Sequence, residues 1–253
     1  MNDPRAVTDL VAGEWRRFRE RLAAHPEAWD RPTRCAGWTV ADLAAHTVWG
    51  TSLEADGLDR ARRGLPGPAE GLSPADDADR DRVLALLAST CDRLVTGLDA
   101  LAAGAGPDAD LPMPYGPLPV DLALSVFAME AGVHGSDLAA ALGLDDTLGA
   151  GPCAGTVATL AVFGPAFAAA AGSKLAPGAV IELRSATGAL RFAQERDGAW
   201  TAAADGPATA VVTGPDSDVW LFAVGRRPAD APGLVITGDA ALARSFKALV
   251  PGP

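Results

Sequence analysis

At 253 residues, 49% hydrophobic and 21% charged, the chain has the composition of a globular protein with room for one large or two small domains. Its net charge of −11 lies wholly in residues 1–149, which hold 13 basic and 24 acidic side chains against eight of each in residues 150–253. With no Lys or Arg between Arg93 and Lys174, DNA or RNA is excluded as an expected partner, and the asymmetry argues for two units.

Residues 5–24 place Val7, Leu10, Val11, Trp15, Phe18 and Leu22 at helical spacing, and Pro26 closes that helix. Thr39 followed by Asp42 has the form of a capping box opening a second helix, on which Leu43, His46, Gly50 and Leu53 share a stripe. A Pro- and Gly-rich connection (64–79) leads to a strongly periodic third helix over 81–103. A second such loop (104–119) precedes the stretch VDLALSVFAMEAGVHGSDLAAALG. Four helices with two long connections predict a four-helix bundle.

After residue 148 the texture changes. An Ala-rich helix (154–171) is followed by β-like runs at 179–185, 189–195, 199–204 and 208–214, with turn signals at Thr187-Gly188 and Asp197-Gly198. A helix over 216–225, a strand over 233–238 and a closing helix over 239–250 complete a small α+β domain with an antiparallel sheet. The expected division is 1–148 and 149–253.

Cys35, Cys91 and Cys153 are odd in number and form no CxxC pair, which fits a reducing cytoplasm. The first ten residues carry no signal-peptide core. The uncharged run 154–172 approaches a membrane span in length, but its Ala and Gly content and central Pro165 favour a buried helix of a soluble protein. No membrane partner is expected.

Two of the three histidines carry the chemistry. Glu130 and His134 stand four apart and point together, with Asp137 beside them, on a helix without a cation of its own. His46 joins them only if the second and fourth helices are neighbours. Two imidazoles and a carboxylate make a three-ligand metal site with an open position. A helical ion pair or a satisfied core histidine explains the same residues without a metal.

The stretch from Trp29 to Gly50 resembles the signature of the DinB-like, mycothiol-dependent maleylpyruvate isomerase family, through Trp29, Pro32, Thr33, Gly37, Trp38, Thr39, Asp42 and His46. A second similarity lies in EAGVHGSDL, at Glu130, His134 and Asp137. Residues 218–228 and 235–246 resemble the family's smaller, sterol-carrier-like domain. The resemblance implies a DinB-like bundle in which His46, Glu130 and His134 hold one divalent metal, zinc first among the choices. Asp137 would then orient a ligand from outside the coordination sphere.

It also implies mycothiol as co-substrate, a small electrophilic, maleylpyruvate-like substrate, and isomerase or S-transferase chemistry. Arg226, in the Gly-Arg segment, would fix a substrate carboxylate. A solvated helix end is the other reading of Arg226 and Arg227. Gly135 departs from the family, which often has a basic residue there. The alternative function is a non-catalytic metal- or ligand-binding protein, and a structural protein with core histidines is a third; a monomer or homodimer fits each.

Overall fold

The structure, a computed structural model, describes residues 4–75, 78–105 and 110–251. Residues 76–77 and 106–109 of the two expected connections, and residues 1–3 of the N-terminus, lie outside the described residues. Two compact units follow one another, Met1–Asp146 and Thr147–Pro253.

The first unit holds α1 (Pro4–Ala24), α2 (Val40–Arg63), α3 (Arg80–Ala100) and α4 (Val120–Leu142). Helix α1 packs on α3 and α4, and α2 packs on α3 and α4, so the second and fourth helices are neighbours. Trp15 and Phe18 of α1, Leu43 of α2, Leu87, Leu94 and Leu98 of α3, and Phe127 and Leu138 of α4 are almost fully buried. Each such side chain contributes about 1.5–3 kcal/mol relative to exposure.

Helix α4 is the most enclosed of the four. It is apolar on nearly all sides, with residues 123–129 and 131–139 buried, as expected of a helix with no solvent face. It ends where Gly143 turns left-handed (φ 72°) and returns its N–H to the carbonyls of Ala139 and Ala140.

The loop expected over 104–119 contains a hairpin, β1 (Leu111–Met113) paired antiparallel with β2 (Gly116–Leu118). The third helix gives way at Leu101–Ala105 to a wider turn broken at Gly104 (φ 78°).

The second unit opens with α5 (Ala150–Ala170), which contains Pro165. Then come β3 (Val180–Arg184), β4 (Ala189–Gln194), β5 (Trp200–Thr201), β6 (Ala210–Thr213), α6 (Asp216–Ala223) and β7 (Val235–Gly238). The sheet order is β5-β4-β3-β6-β7, antiparallel at every pairing except β3–β6, which is parallel. The expected closing helix is two short ones, α7 (Ala240–Arg244) and α8 (Phe246–Leu249), separated at Ser245.

Helix α5 is long and apolar enough to cross a membrane, and 39% of its most apolar window is buried. It packs on α6, β4 and β5. Trp220, Phe192 and Phe246 are wholly buried at the centre of this unit, with the two Phe rings 5.1 Å apart edge to face.

Candidate metal centre

The entry to α2 is fixed before the first turn. Thr39 Oγ1 accepts from the Asp42 N–H (3.3 Å), and Asp42 Oδ2 accepts from the Thr39 N–H (2.8 Å), closing a capping box. The Thr39 N–H, together with the Thr39 hydroxyl donating to the same Oδ2 (2.7 Å), holds the Asp42 carboxyl below its usual range. The preceding loop folds back through Thr33 N–H to the Trp38 carbonyl (2.8 Å), with Gly37 at φ 80°. Phase and loop together set Trp38 against His46, ring centroids 4.9 Å apart, and the Trp49 ring lies 5.7 Å from His46.

His46 faces α4. Its ring centroid lies 4.9 Å from that of His134, with the planes at 75°. His134 Nε2 is 3.1 Å from Glu130 Oε2, and His134 Nδ1 is 3.3 Å from Asp137 Oδ2. His46, Glu130 and His134 each offer a donor atom within 4.8 Å of the other two. Nitrogen and oxygen ligands about 2.0 Å from a tetrahedral ion stand about 3.3 Å apart, so this donor set suits a divalent cation.

His134 is buried, whereas His46 and Glu130 are half-buried, so the centre has a closed side and an approachable one. Burial disfavours the His134 cation, but the flanking carboxylates of Asp137 and Glu130 outweigh it and lift the pKa to about 9. Asp137 is fully buried, with its Oδ1 3.5 Å from Arg34 Nε. Arg34 also reaches Asp146 Oδ2 (2.8 Å) and donates to Ser136 Oγ (2.7 Å). The cation that α4 lacks thus arrives from the loop before α2.

Residues 9–139, just over half of the chain, match the family model described as the mycothiol maleylpyruvate isomerase N-terminal domain. The chain belongs to this family. The Trp29–Gly50 and Glu130–Leu138 segments of the resemblance fall inside the matched residues, and residues 218–228 and 235–246 lie outside them. No curated protein matches the chain.

A crystal structure of the mycothiol-dependent maleylpyruvate isomerase is similar at 15% identity with a TM-score of 0.64, covering 92% of each chain. A crystal structure of a histidine-to-alanine mutant of that isomerase is similar at 16% identity and a TM-score of 0.66, again over 92% of each chain. At such identities the likeness establishes the fold.

Other side chains complete the family member's inventory. At Gly135, a departure from the expected family pattern, the backbone carbonyl accepts from Arg21 of α1 (3.2 Å). Arg226 belongs to the second unit, just past α6, where its side chain donates to the Val224 carbonyl (2.8 Å) and its N–H to the Leu221 carbonyl (2.7 Å).

Two residues near the centre were not visible as participants in the sequence. Cys35 is half-buried and donates to Asp137 Oδ2 at 3.4 Å. Glu54, eight residues beyond His46 on α2, is 3% exposed, and its Oε2 has no hydrogen-bond partner among the described residues. Burial first, and the charge of Glu130 second, push its pKa well above 4.5. The helical period could have flagged Glu54, which lies only about 80° around the axis from His46. Nothing in the spacing of Cys35 and Asp137, 102 residues apart, signals their contact.

A groove of about 860 Å³ between α2 and α3, lined by Asp59, Arg62, Asp92 and Arg93 among others, includes none of the three ligands. Its Asp59 is already paired with Arg62 and Arg63.

Proposed function

We propose that this protein is a metal- and thiol-dependent isomerase in which His46, Glu130 and His134 hold one divalent cation, zinc before other metals. The observation that carries this is the convergence of three donor atoms within 4.8 Å, contributed by two helices of the family-matched segment. A cation held by three protein ligands leaves a position for a thiol, whose proton it makes easier to lose at neutral pH.

The chain's own residues prepare that chemistry. Asp137 takes the hydrogen bond from His134 Nδ1, which leaves Nε2 directed at the centre and fixes the ring. Arg34, bonded to Asp137, Ser136 and Asp146, holds that carboxylate in place. Trp38 and Trp49 wall the His46 side and limit water. Arg226 is assigned the substrate carboxylate, through the planar fork its guanidinium offers.

The co-substrate is a low-molecular-weight thiol, mycothiol by family. Its thiolate adds to the electrophilic double bond of a small maleylpyruvate-like acid, forming a C–S bond. Rotation about the resulting single bond and expulsion of the same thiolate return the trans isomer. The protein acts as a soluble cytoplasmic enzyme, with residues 1–148 as the metal-binding bundle and 149–253 as a sterol-carrier-like domain.

Elemental analysis of the untreated protein tests the reading. About one zinc-like ion per chain is expected, and it falls to a small fraction in His46→Ala and in His134→Ala. Full metal content in both variants would remove the assignment.

A further inference from the structure

His134 has two nitrogen faces, and each looks at a different set of donors. Nε2 faces Glu130 and the His46 ring, the centre described above. Nδ1 faces Asp137 Oδ2 at 3.3 Å, and the same oxygen lies 3.4 Å from the Cys35 sulfur. Cys35, His134 and Asp137 bring one donor atom each to within 4.8 Å of one another.

Those two separations correspond to the edges of a coordination tetrahedron. With metal–sulfur bonds of about 2.3 Å and metal–nitrogen and metal–oxygen bonds of about 2.0 Å, adjacent S and O ligands stand about 3.5 Å apart and N and O ligands about 3.3 Å apart. The same atoms are joined by hydrogen bonds. The surroundings suit an ion as well. Arg34 engages the other Asp137 oxygen, Oδ1, at 3.5 Å and is itself paired with Asp146. Oδ2 therefore serves as a single, oriented ligand atom. Asp137 and His134 are buried while Cys35 is only half-buried, so the thiol side provides the approach.

We propose that Cys35, Asp137 and the Nδ1 face of His134 form a second, thiolate-bearing metal seat for a soft divalent cation, and that it cannot be filled together with the first. Exclusivity follows from the imidazole, and in this respect the inference rests on the reading that His134 serves the first centre through Nε2. A neutral imidazole has one proton and one lone pair. A cation on Nε2 leaves the proton on Nδ1, where Asp137 accepts it. A cation on Nδ1 moves the proton to Nε2, where Glu130 accepts it. As a neutral ring it ligates on one side at a time, and filling both seats together would require its imidazolate form. A thiolate favours soft ions, whereas two imidazoles and a carboxylate favour borderline ones, so the two seats select different metals.

Cadmium titration of the metal-free protein tests this. Cys91 and Cys153 are buried, and burial pushes both thiols up to about 12, so a thiolate-to-cadmium ultraviolet absorption should come from Cys35 alone. The absorption is expected in the parent and in His46→Ala, absent in Cys35→Ser, and saturated at one ion per chain. Zinc already bound should be released as cadmium enters. The proposal is overturned if the absorption is missing from the parent and His46→Ala, if it persists in Cys35→Ser, or if zinc and cadmium are held together. Loss of zinc binding in His46→Ala, measured separately in the absence of cadmium, reports on the first centre alone. Its failure is therefore distinguishable from failure of the second seat.

Discussion

At the residue scale, Glu54 is the side chain whose cost is clearest. Its carboxyl is buried, one oxygen has no hydrogen-bond partner among the described residues, and Glu130 lies near enough to raise its pKa further. Because its folded-state pKa is raised, folding favours the protonated form. The stability linked to Glu54 is complete below about 4.5 and is lost as pH rises through the raised value. Gln has the shape of the neutral acid without the charge. Glu54→Gln should therefore melt higher than the parent at pH 8, by on the order of 1 kcal/mol, about 3 °C for a unit of this size. At pH 4 the two should coincide. Thermal unfolding of metal-free protein at both values checks this, and equal melting at pH 8 would contradict it. The convergence of the candidate donors was partly legible in sequence. Glu130, His134 and Asp137 share a face by helical period alone, whereas the approach of His46 needed the packing of α2 on α4. Arg34 and Cys35 were illegible because a loop, not a period, delivers them.

The elements show the same division between local pattern and tertiary arrangement. Helix α5 crosses β4 so closely that a Cβ on Gly164 would lie 2.7 Å from Cε1 of Phe192, a ring with no exposure and nowhere to retreat. Replacing an interior helical Gly by Ala ordinarily gains about 1 kcal/mol. Overpacking against a fixed aromatic costs about 1–3 kcal/mol, so the clash outweighs the gain. Gly164→Ala should lower the denaturant midpoint, a loss of about 1 kcal/mol; an unchanged or raised midpoint would show that the sheet yields there. Such contacts decide what the sequence could not announce. The capping box at Thr39 and Asp42 and the turns at Gly188 and Gly198 are local and were readable. The β1–β2 hairpin was not, because Pro112 and Pro117 argue against strands. It exists because Leu111, Met113 and Leu118 bury their side chains, with Met113 lying over Gly57 of α2. The parallel β3–β6 pairing was likewise hidden, since it depends on β6 returning beside β3 after β4 and β5, not on any feature within either strand.

For the whole molecule, the charge distribution acts on any cation before contact is made. Residues 1–149 carry 24 acidic against 13 basic side chains, and the proposed ligands all lie within that segment. A surplus of negative charge raises the local concentration of divalent cations and steers them inward. Screening removes the long-range part first: the Debye length falls from about 30 Å at 0.01 M salt to about 3 Å at 1 M. Capture of a divalent cation by the metal-free protein should therefore slow several-fold from about 0.02 M to about 0.5 M sodium chloride. Dissociation, governed by the three ligands at close range, should change much less. Trp38, 4.9 Å from the His46 ring, supplies the signal, because cobalt bound there quenches indole fluorescence. Stopped-flow traces at the two salt concentrations separate the rates. An association rate indifferent to salt would mean that the acidic surplus is a solubility feature with no part in loading the centre.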